Sequence, residues 1–235
     1  MDALIQMESL IRQSPGGDTT FFDNADFPWT GAVESHWPLM SAELGHLMRA
    51  IDFLPGFEEI QVKQGELSSD KRWKIFPLFA YGQWFNTQRC PTAIRALQCI
   101  PNLKSGMFSV LQAGKELPAH RGVYAGVLRY HLGMKVPQPE LCGIRVGDDS
   151  ATWHEGASLI FDDSHEHTAW NRSDEDRIVL FVDFSRPLPP DLHAMNEAII
   201  YEVSATDFVT RAVNEWIEWD KKHGRTIDSH MGIAP

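Results

Sequence analysis

Cysteine, basic charge and long apolar runs are all scarce in this chain of 235 residues. No stretch approaches the roughly 20 consecutive apolar residues that a membrane-spanning helix needs. The opening MDALIQMESLIRQ carries acids and lacks the apolar core of a signal peptide. The expectation is a cytoplasmic protein without a membrane anchor. The three cysteines, Cys90, Cys99 and Cys142, are an odd count with no C-x-x-C. That argues against a disulfide framework and a thiolate zinc site, and leaves buried, reduced thiols. Lys and Arg number 21 against 32 Asp and Glu, for a net charge of −11. Nucleic acid and anionic membrane both need a basic footprint, so neither is expected as the main partner, although a local basic pocket is compatible with this balance.

What is present is ordinary globular composition, 43% hydrophobic and 23% charged, which supports one sizeable core and a single domain over 1–235. Residues 2–13 read as a short amphipathic helix before the loop SPGGD. Leu39, Leu44, Leu47, Met48 and Ile51 recur at roughly helical spacing through Pro38–Phe53. PTAIRALQCI (91–100) has Pro91 at its first turn and Pro101 just past its end. From Gly106 to Phe184 the pattern changes to short β-rich runs: MFSVLQA (107–113), GVLRYHLG (126–133), LCGIRV (141–146), ATWHEG (151–156), ASLIF (157–161), EHTAW (166–170) and RIVLFVDF (177–184). Turn residues separate them, which indicates a jelly roll, that is, a double-stranded β-helix of the cupin kind. Helical periodicity returns in Asp191–Val203 and Ala205–Lys222, with Trp216 and Trp219 on one face. The expected architecture is mainly β with flanking α: an N-terminal helical region (1–66), a jelly-roll core (68–188) and C-terminal helices (189–235).

Within PAHRGVYAGVLRYHLG (118–133), strand alternation points Val127, Arg129 and His131 one way and Leu128 and Tyr130 the other. Arg and His are poor core residues without partners, so that face lines a polar cavity. His120 precedes this run, and His167 sits in FDDSHEHTAWN after a strand ending at Phe161. A jelly roll can bring such strand ends to one mouth of its barrel. Neutral imidazole suits Fe, Zn, Cu and Ni. Arg177 opens the next strand and can grip a carboxylate bidentately. Two histidines and an arginine match an iron enzyme that binds an oxo-diacid. By spacing alone, scattered histidines of this kind are more often structural or surface groups than ligands.

Four stretches carry a wider likeness: SSDKRWKIF, HRGVYAGVLRYHLG, the pattern W-x-E-G-x-S-L-I-F-D-D-S-x-E-H-x-x-W-N over Trp153–Asn171, and DRIVLFVDFSRPL (176–188). Across roughly 68–188 the chain resembles the aspartyl/asparaginyl β-hydroxylase family of Fe(II)- and 2-oxoglutarate-dependent dioxygenases. The resemblance implies that His120 and His167 are the iron ligands and that Arg177, helped by Ser109, binds the distal carboxylate of 2-oxoglutarate. It also implies that Arg129 and His131 lie near the cosubstrate's metal-binding end. O2 is the further reactant, and succinate and CO2 are products. Many iron dioxygenases carry an acid two residues after the first histidine. Here Gly122 stands there, as the family resemblance also implies, leaving room for water or a halide. Glycine at this place also suits a turn with positive φ. Asp162 and Asp163 are alternative third ligands, with turn shaping as their plainer role. His165 reads as a rim group, His154 as exposed, Trp153 and Trp170 as barrel-wall aromatics, and Asp183, Arg186 and Pro187 as a strand exit.

The implied reaction is hydroxylation of an unactivated C–H. The substrate expected first is the β-carbon of an Asp or Asn, free, carrier-bound or peptidyl. Val127 stands where the animal enzymes carry a second inward arginine, which weakens the case for an acidic peptide. A fatty acyl 2-hydroxylase of the lipid A type is the alternative, and a non-catalytic jelly roll binding a metal or small acid is the other. An exposed terminal helix would suit either a dimer or packing on its own barrel.

Overall fold

The computed structural model describes residues 2–233; Met1 and residues 234 and 235 of the expected domain lie outside the described residues. Eleven strands form the β portion: β1 (Phe21–Phe22), β2 (Trp73–Ala80), β3 (Gln83–Trp84), β4 (Leu103–Leu111), β5 (Glu116–His120), β6 (Val127–Lys135), β7 (Cys142–Val146), β8 (Asp149–Thr152), β9 (Ser158–Phe161), β10 (His167–Asn171) and β11 (Arg177–Ser185). They make a seven-stranded sheet in the order β1-β9-β6-β11-β4-β2-β3 and a four-stranded sheet in the order β5-β10-β7-β8. Neighbouring strands in both sheets pair antiparallel. This is the jelly-roll architecture, mainly β with flanking helices.

β11 reads RIVLFVDFS and is buried at every position but Asp183, as a central strand covered on both faces should be. Its even-numbered residues turn to the helical side. Phe184 packs edge-on against Phe27 and Trp29, and Trp29 also covers Tyr130 of β6. Its odd-numbered residues Arg177, Val179, Phe181 and Asp183 face the other way. Register sets Asp183 opposite Arg129 and Phe181 opposite His131, so these side chains share one face.

Seven helices flank the sheets: α1 (Asp2–Gln13), α2 (Thr30–Glu34), α3 (Trp37–Leu47), α4 (Phe57–Ile60), α5 (Pro91–Gln98), α6 (Pro190–Ser204) and α7 (Asp207–Met231). The N-terminus of α5 is closed by the Glu43 carboxylate, which accepts from Thr92 N (2.6 Å) and Ala93 N (3.1 Å). α7 is latched by Arg89 to Asp220 (2.5 Å) and Asp228 (2.6 Å), and its Trp216 meets Phe76 of β2 edge to face. Among the described residues no helix is long and apolar enough to cross a membrane.

Several sequence expectations need correction. The run 151–156 is strand only as far as Thr152; Trp153–Gly156 leave the ladder. The helix expected over Pro38–Phe53 tightens to a 3₁₀ turn at Met48–Phe53, and α7 runs well past Lys222. β2 and β5 were not expected. Pro77 interrupts β2, and the pairing absorbs it as a register shift between Pro77 and Phe79. Cys90 and Cys142 are buried, while Cys99 is only half-buried.

Candidate active site

The ladder between β5 and β10 sets His167 directly opposite His120, with ring centroids 4.0 Å apart. Each ring is anchored to its own backbone. His120 Nδ1 donates to the Pro118 carbonyl (2.8 Å) and His167 Nδ1 to the His165 carbonyl (3.0 Å). A carbonyl can only accept, so both Nδ1 atoms carry the proton and both Nε2 atoms keep a lone pair. That is the tautomer of a metal-ligating imidazole with its outer nitrogen oriented. Burial lowers both pKa values, and His167, beside His120, is held down to about 3. Both are neutral at pH 7, as ligation requires. The β10–β5 register shifts between His167 and Ala169, an irregularity of the kind that re-aims a side chain.

No group of three His, Cys, Asp or Glu side chains is arranged to hold a metal among the described residues. The reason lies at Gly122. Its φ is not positive, contrary to the turn expectation. Its N–H donates to the Asp163 carbonyl (2.7 Å), and a Cβ there would collide with the Asp163 carboxylate. Asp163 therefore fills the place of the missing acid from a different strand end. It is not free: Arg129 Nη2 lies 2.9 Å from Asp163 Oδ2 and 2.9 Å from Asp183 Oδ1. Burial pushes the Asp163 carboxyl up to about 6, against the pull of Arg129. Burial alone would lower the Arg129 guanidinium, but Asp163 and Asp183 hold it above its usual value. Asp183, expected as a strand exit, belongs to this network instead and also accepts from Ser105 Oγ (2.7 Å).

Arg177 presents the opposite situation. It is 3% exposed, its Nε has no hydrogen-bond partner, and its guanidinium lies 4.3 Å above the Trp153 ring centroid. Burial lowers its pKa to about 10, so it stays charged at neutral pH. A buried cation without a carboxylate is costly and calls for an anion. Ser109 shares its face, because Ser109 pairs with Val179, two residues on from Arg177. The buried Ser109 Oγ accepts from Trp73 Nε1 (3.0 Å). His131, on the same face, has its Nδ1 3.2 Å from Trp153 Nε1. An indole N–H can only donate, so Nδ1 accepts and the proton sits on Nε2. That buried Nε2–H has no partner, and burial together with Arg129 and Arg177 keeps the ring neutral. The large sheet thus offers an unpaired cation and an unpaired N–H donor, facing a small sheet with two imidazole lone pairs.

The loop carrying Asp162–His165 is gripped from outside. Arg12 of α1 donates to Asp162 Oδ2 (3.0 Å) and Ser164 Oγ (2.6 Å), and its Nη1 lies 2.8 Å from His165 Nε2. Arg186 also pairs with the fully buried Asp162, and Arg121 Nε donates to the Ser164 carbonyl (2.8 Å). Asp162 shapes the turn by accepting from Ser164 N (2.9 Å). His154 is exposed, and Trp170 is half-buried beside Arg172. Trp153 is buried barrel wall, but its contacts to His131 and Arg177 give it a part in the site that its sequence position did not reveal.

A cavity of about 420 Å³ opens from His120, Arg129, Asp163 and Asp183. Away from that end its walls are mainly apolar, from Phe57 and Ile60, from Ile75 and Phe79 on β2, and from α6 and α7, with Gln61, Gln64 and Glu66 among them. Lys63, Arg121 and Val123 line it and are exposed, which puts them at its rim.

Residues 34–187 match the family described as aspartyl/asparaginyl beta-hydroxylase. The chain is 40% identical over 226 residues to an ornithine lipid ester-linked acyl 2-hydroxylase of Rhizobium tropici, covering 94% of this chain and 80% of that protein. It is 32% identical over 166 residues to the human aspartyl/asparaginyl beta-hydroxylase, of which it spans 21%. Among solved structures, a cupin barrel protein from Salinispora arenicola aligns over 57% of this chain and 89% of its own, at 12% identity and a TM-score of 0.34.

Proposed function

Since the chain belongs to the aspartyl/asparaginyl β-hydroxylase family, we propose that it is an Fe(II)- and 2-oxoglutarate-dependent hydroxylase acting on the acyl chain of a lipid. His120 and His167 hold the iron through Nε2, and the unpaired Arg177 takes the far carboxylate of 2-oxoglutarate with Ser109 beside it. The orphaned His131 Nε2–H suits the cosubstrate's oxygens at the metal end. When bound, the iron and 2-oxoglutarate supply the O2-dependent chemistry that inserts oxygen into a C–H bond, releasing succinate and CO2. The chain's own residues position, neutralise charge and exclude water. Asp163 and Asp183 hold Arg129, while Trp153 fixes the tautomer of His131 and stacks on Arg177.

The observation that carries the substrate reading is the cavity beside His120. An Asp side chain bound beside His120 would need a free cation at that end, and Arg129 there is already claimed by two carboxylates, while Lys63 and Arg121 lie at the rim. An amphiphile fits better: apolar walls for a chain, with Lys63 and Arg121 exposed at the rim for a polar head. The Rhizobium relative's acyl hydroxylation supports the same reading. The test is aerobic incubation with Fe(II), 2-oxoglutarate and ester-linked acyl lipids, following succinate and the lipid mass. Expected is one oxygen gained on an acyl chain, lost in His167→Ala. Turnover of Asp or Asn peptides with no oxidised lipid would overturn the substrate, and no metal-dependent succinate with any of them would overturn the oxygenase.

A further inference from the structure

Helix α7 divides along its length. Beyond Trp216 its apolar residues Trp219, Ile227 and Met231 join the main core. Before that point, Val209, Ala212, Val213 and Trp216 recur at the i, i+3, i+4, i+7 spacing of one helical face and line the cavity. Ile200 and Val203 of α6 continue the wall. Trp216 belongs to the main core and Ala212 packs against it, so this half meets protein on one side and lines the cavity on the other. Its members differ in bulk, with Ala212 and Val213 small and half-buried, and Trp216 large and 2% exposed. Both helices lie beyond residue 187, where the family match ends, so this wall is separate from the shared chemistry at the histidines.

We propose that the first half of α7 is a chain-length gauge. The acyl chain runs from His120 along Val209, Ala212 and Val213, Trp216 closes the far side, and the bulk at 212 and 213 sets the longest chain admitted. This rests on the acyl-chain reading above. It needs no contact with the metal or the cosubstrate, so it can be measured without either.

The experiment uses chelator-treated, full-length protein. Decanoic, tetradecanoic and octadecanoic acids compete with a dansyl-undecanoic acid probe, on the wild type and on Ala212→Trp and Val213→Phe. Thermal melting checks that each variant is folded, the Val213 change being the milder of the two. Expected is a fall of roughly tenfold or more in the ratio of octadecanoic to decanoic affinity, because each methylene excluded from an apolar pocket is worth about tenfold or more. A ratio within about twofold of wild type in a folded variant overturns the gauge. So does a wild type from which no fatty acid displaces the probe. Metal-dependent succinate with another substrate would in that case leave the oxygenase standing, while good fatty-acid discrimination without any turnover would support the gauge and sink the oxygenase.

Discussion

Asp163 occupies the space that a side chain at position 122 would need, and the Gly122 N–H is bonded to the carbonyl of the same residue. His120 and the loop before His167 are therefore one packed unit. Restoring an acid by Gly122→Asp should not improve the site. The expected outcome is a loss of about 1–3 kcal/mol from overpacking and weaker Fe(II) binding. Thermal melting and anaerobic metal titration would check both, and a more active Gly122→Asp would contradict the packing argument.

Arg177 invites a two-sided prediction. Its charge is buried without a partner, so Arg177→Met should leave the metal-free protein as stable as wild type or more stable, by up to about 4 kcal/mol. The same change should raise the KM for 2-oxoglutarate steeply, since losing one half of a buried charge pair costs on the order of 2–5 kcal/mol. Wild type should melt higher with 2-oxoglutarate added, and the variant should not. A destabilised variant with unchanged KM would remove Arg177 from the cosubstrate's site.

Stability without metal should fall in acid, with a calculable sign. His167 is held down to about 3 from 6.5 by burial and by His120, and burial lowers His120 and His131 as well. The unfolded chain binds these protons more readily, so the stability is fully present above about pH 6.5 and is lost as pH falls toward 3. Asp163, pushed up from 3.8 to about 6, acts in the opposite sense over that narrower interval. Three imidazoles against one carboxyl leave the net slope positive. Each shifted group contributes about 1.4 kcal/mol per pH unit within its window. Denaturant melts between pH 4 and 7 on chelator-treated protein would measure the slope, and His167→Asn should flatten it.

Arg12 lies on α1, far in sequence from the histidines, yet it bonds Asp162 and Ser164 on the loop whose His165 carbonyl orients His167. Removing such outer supports typically weakens metal binding 10- to 100-fold. Arg12→Ala should therefore raise the Fe(II) dissociation constant by about tenfold, with kcat reduced once iron is saturating and the KM for 2-oxoglutarate little changed. Arg12→Lys should rescue poorly, because one ammonium cannot reproduce the guanidinium's two-armed grip. Equal iron affinity in all three proteins would make α1 mere packing.

Which side chains of the large sheet share a face was legible because period-two alternation survives there. Arg129 and His131 share a face, and RIVLFVDF is a fully buried strand. His120, His167 and Arg177 were each picked out, and the structure brings the two histidines together across one ladder. What escaped depends on contacts between distant segments. β2 was hidden by Pro77, whose interruption only a register shift reconciles with pairing. Gly122 looked like a turn glycine because the Asp163 carboxylate that requires it is supplied from another strand end. The resemblance put Arg129 near the cosubstrate's metal-binding end, and its sequence position could not show that Asp163 and Asp183 hold it. The helix over 205–222 was legible with Trp216 and Trp219 on one face, but periodicity cannot say that the face at 209, 212, 213 and 216 lines a cavity.

The latch at the far end of α7 bears on how this protein can vary. Arg89 ties Asp220 and Asp228, and Ile227 and Met231 are sunk in the core, so the second half of the helix carries its own anchors. Residues before Trp216 are then free to drift among apolar sizes at little cost to folding, whereas those after it are not. On the gauge proposed above, substrate range and fold maintenance fall to different stretches of one helix. A saturation library over 207–231 scored for abundance should show a step in tolerance near Trp216, with the permissive side being the one that rewrites which chains the protein accepts.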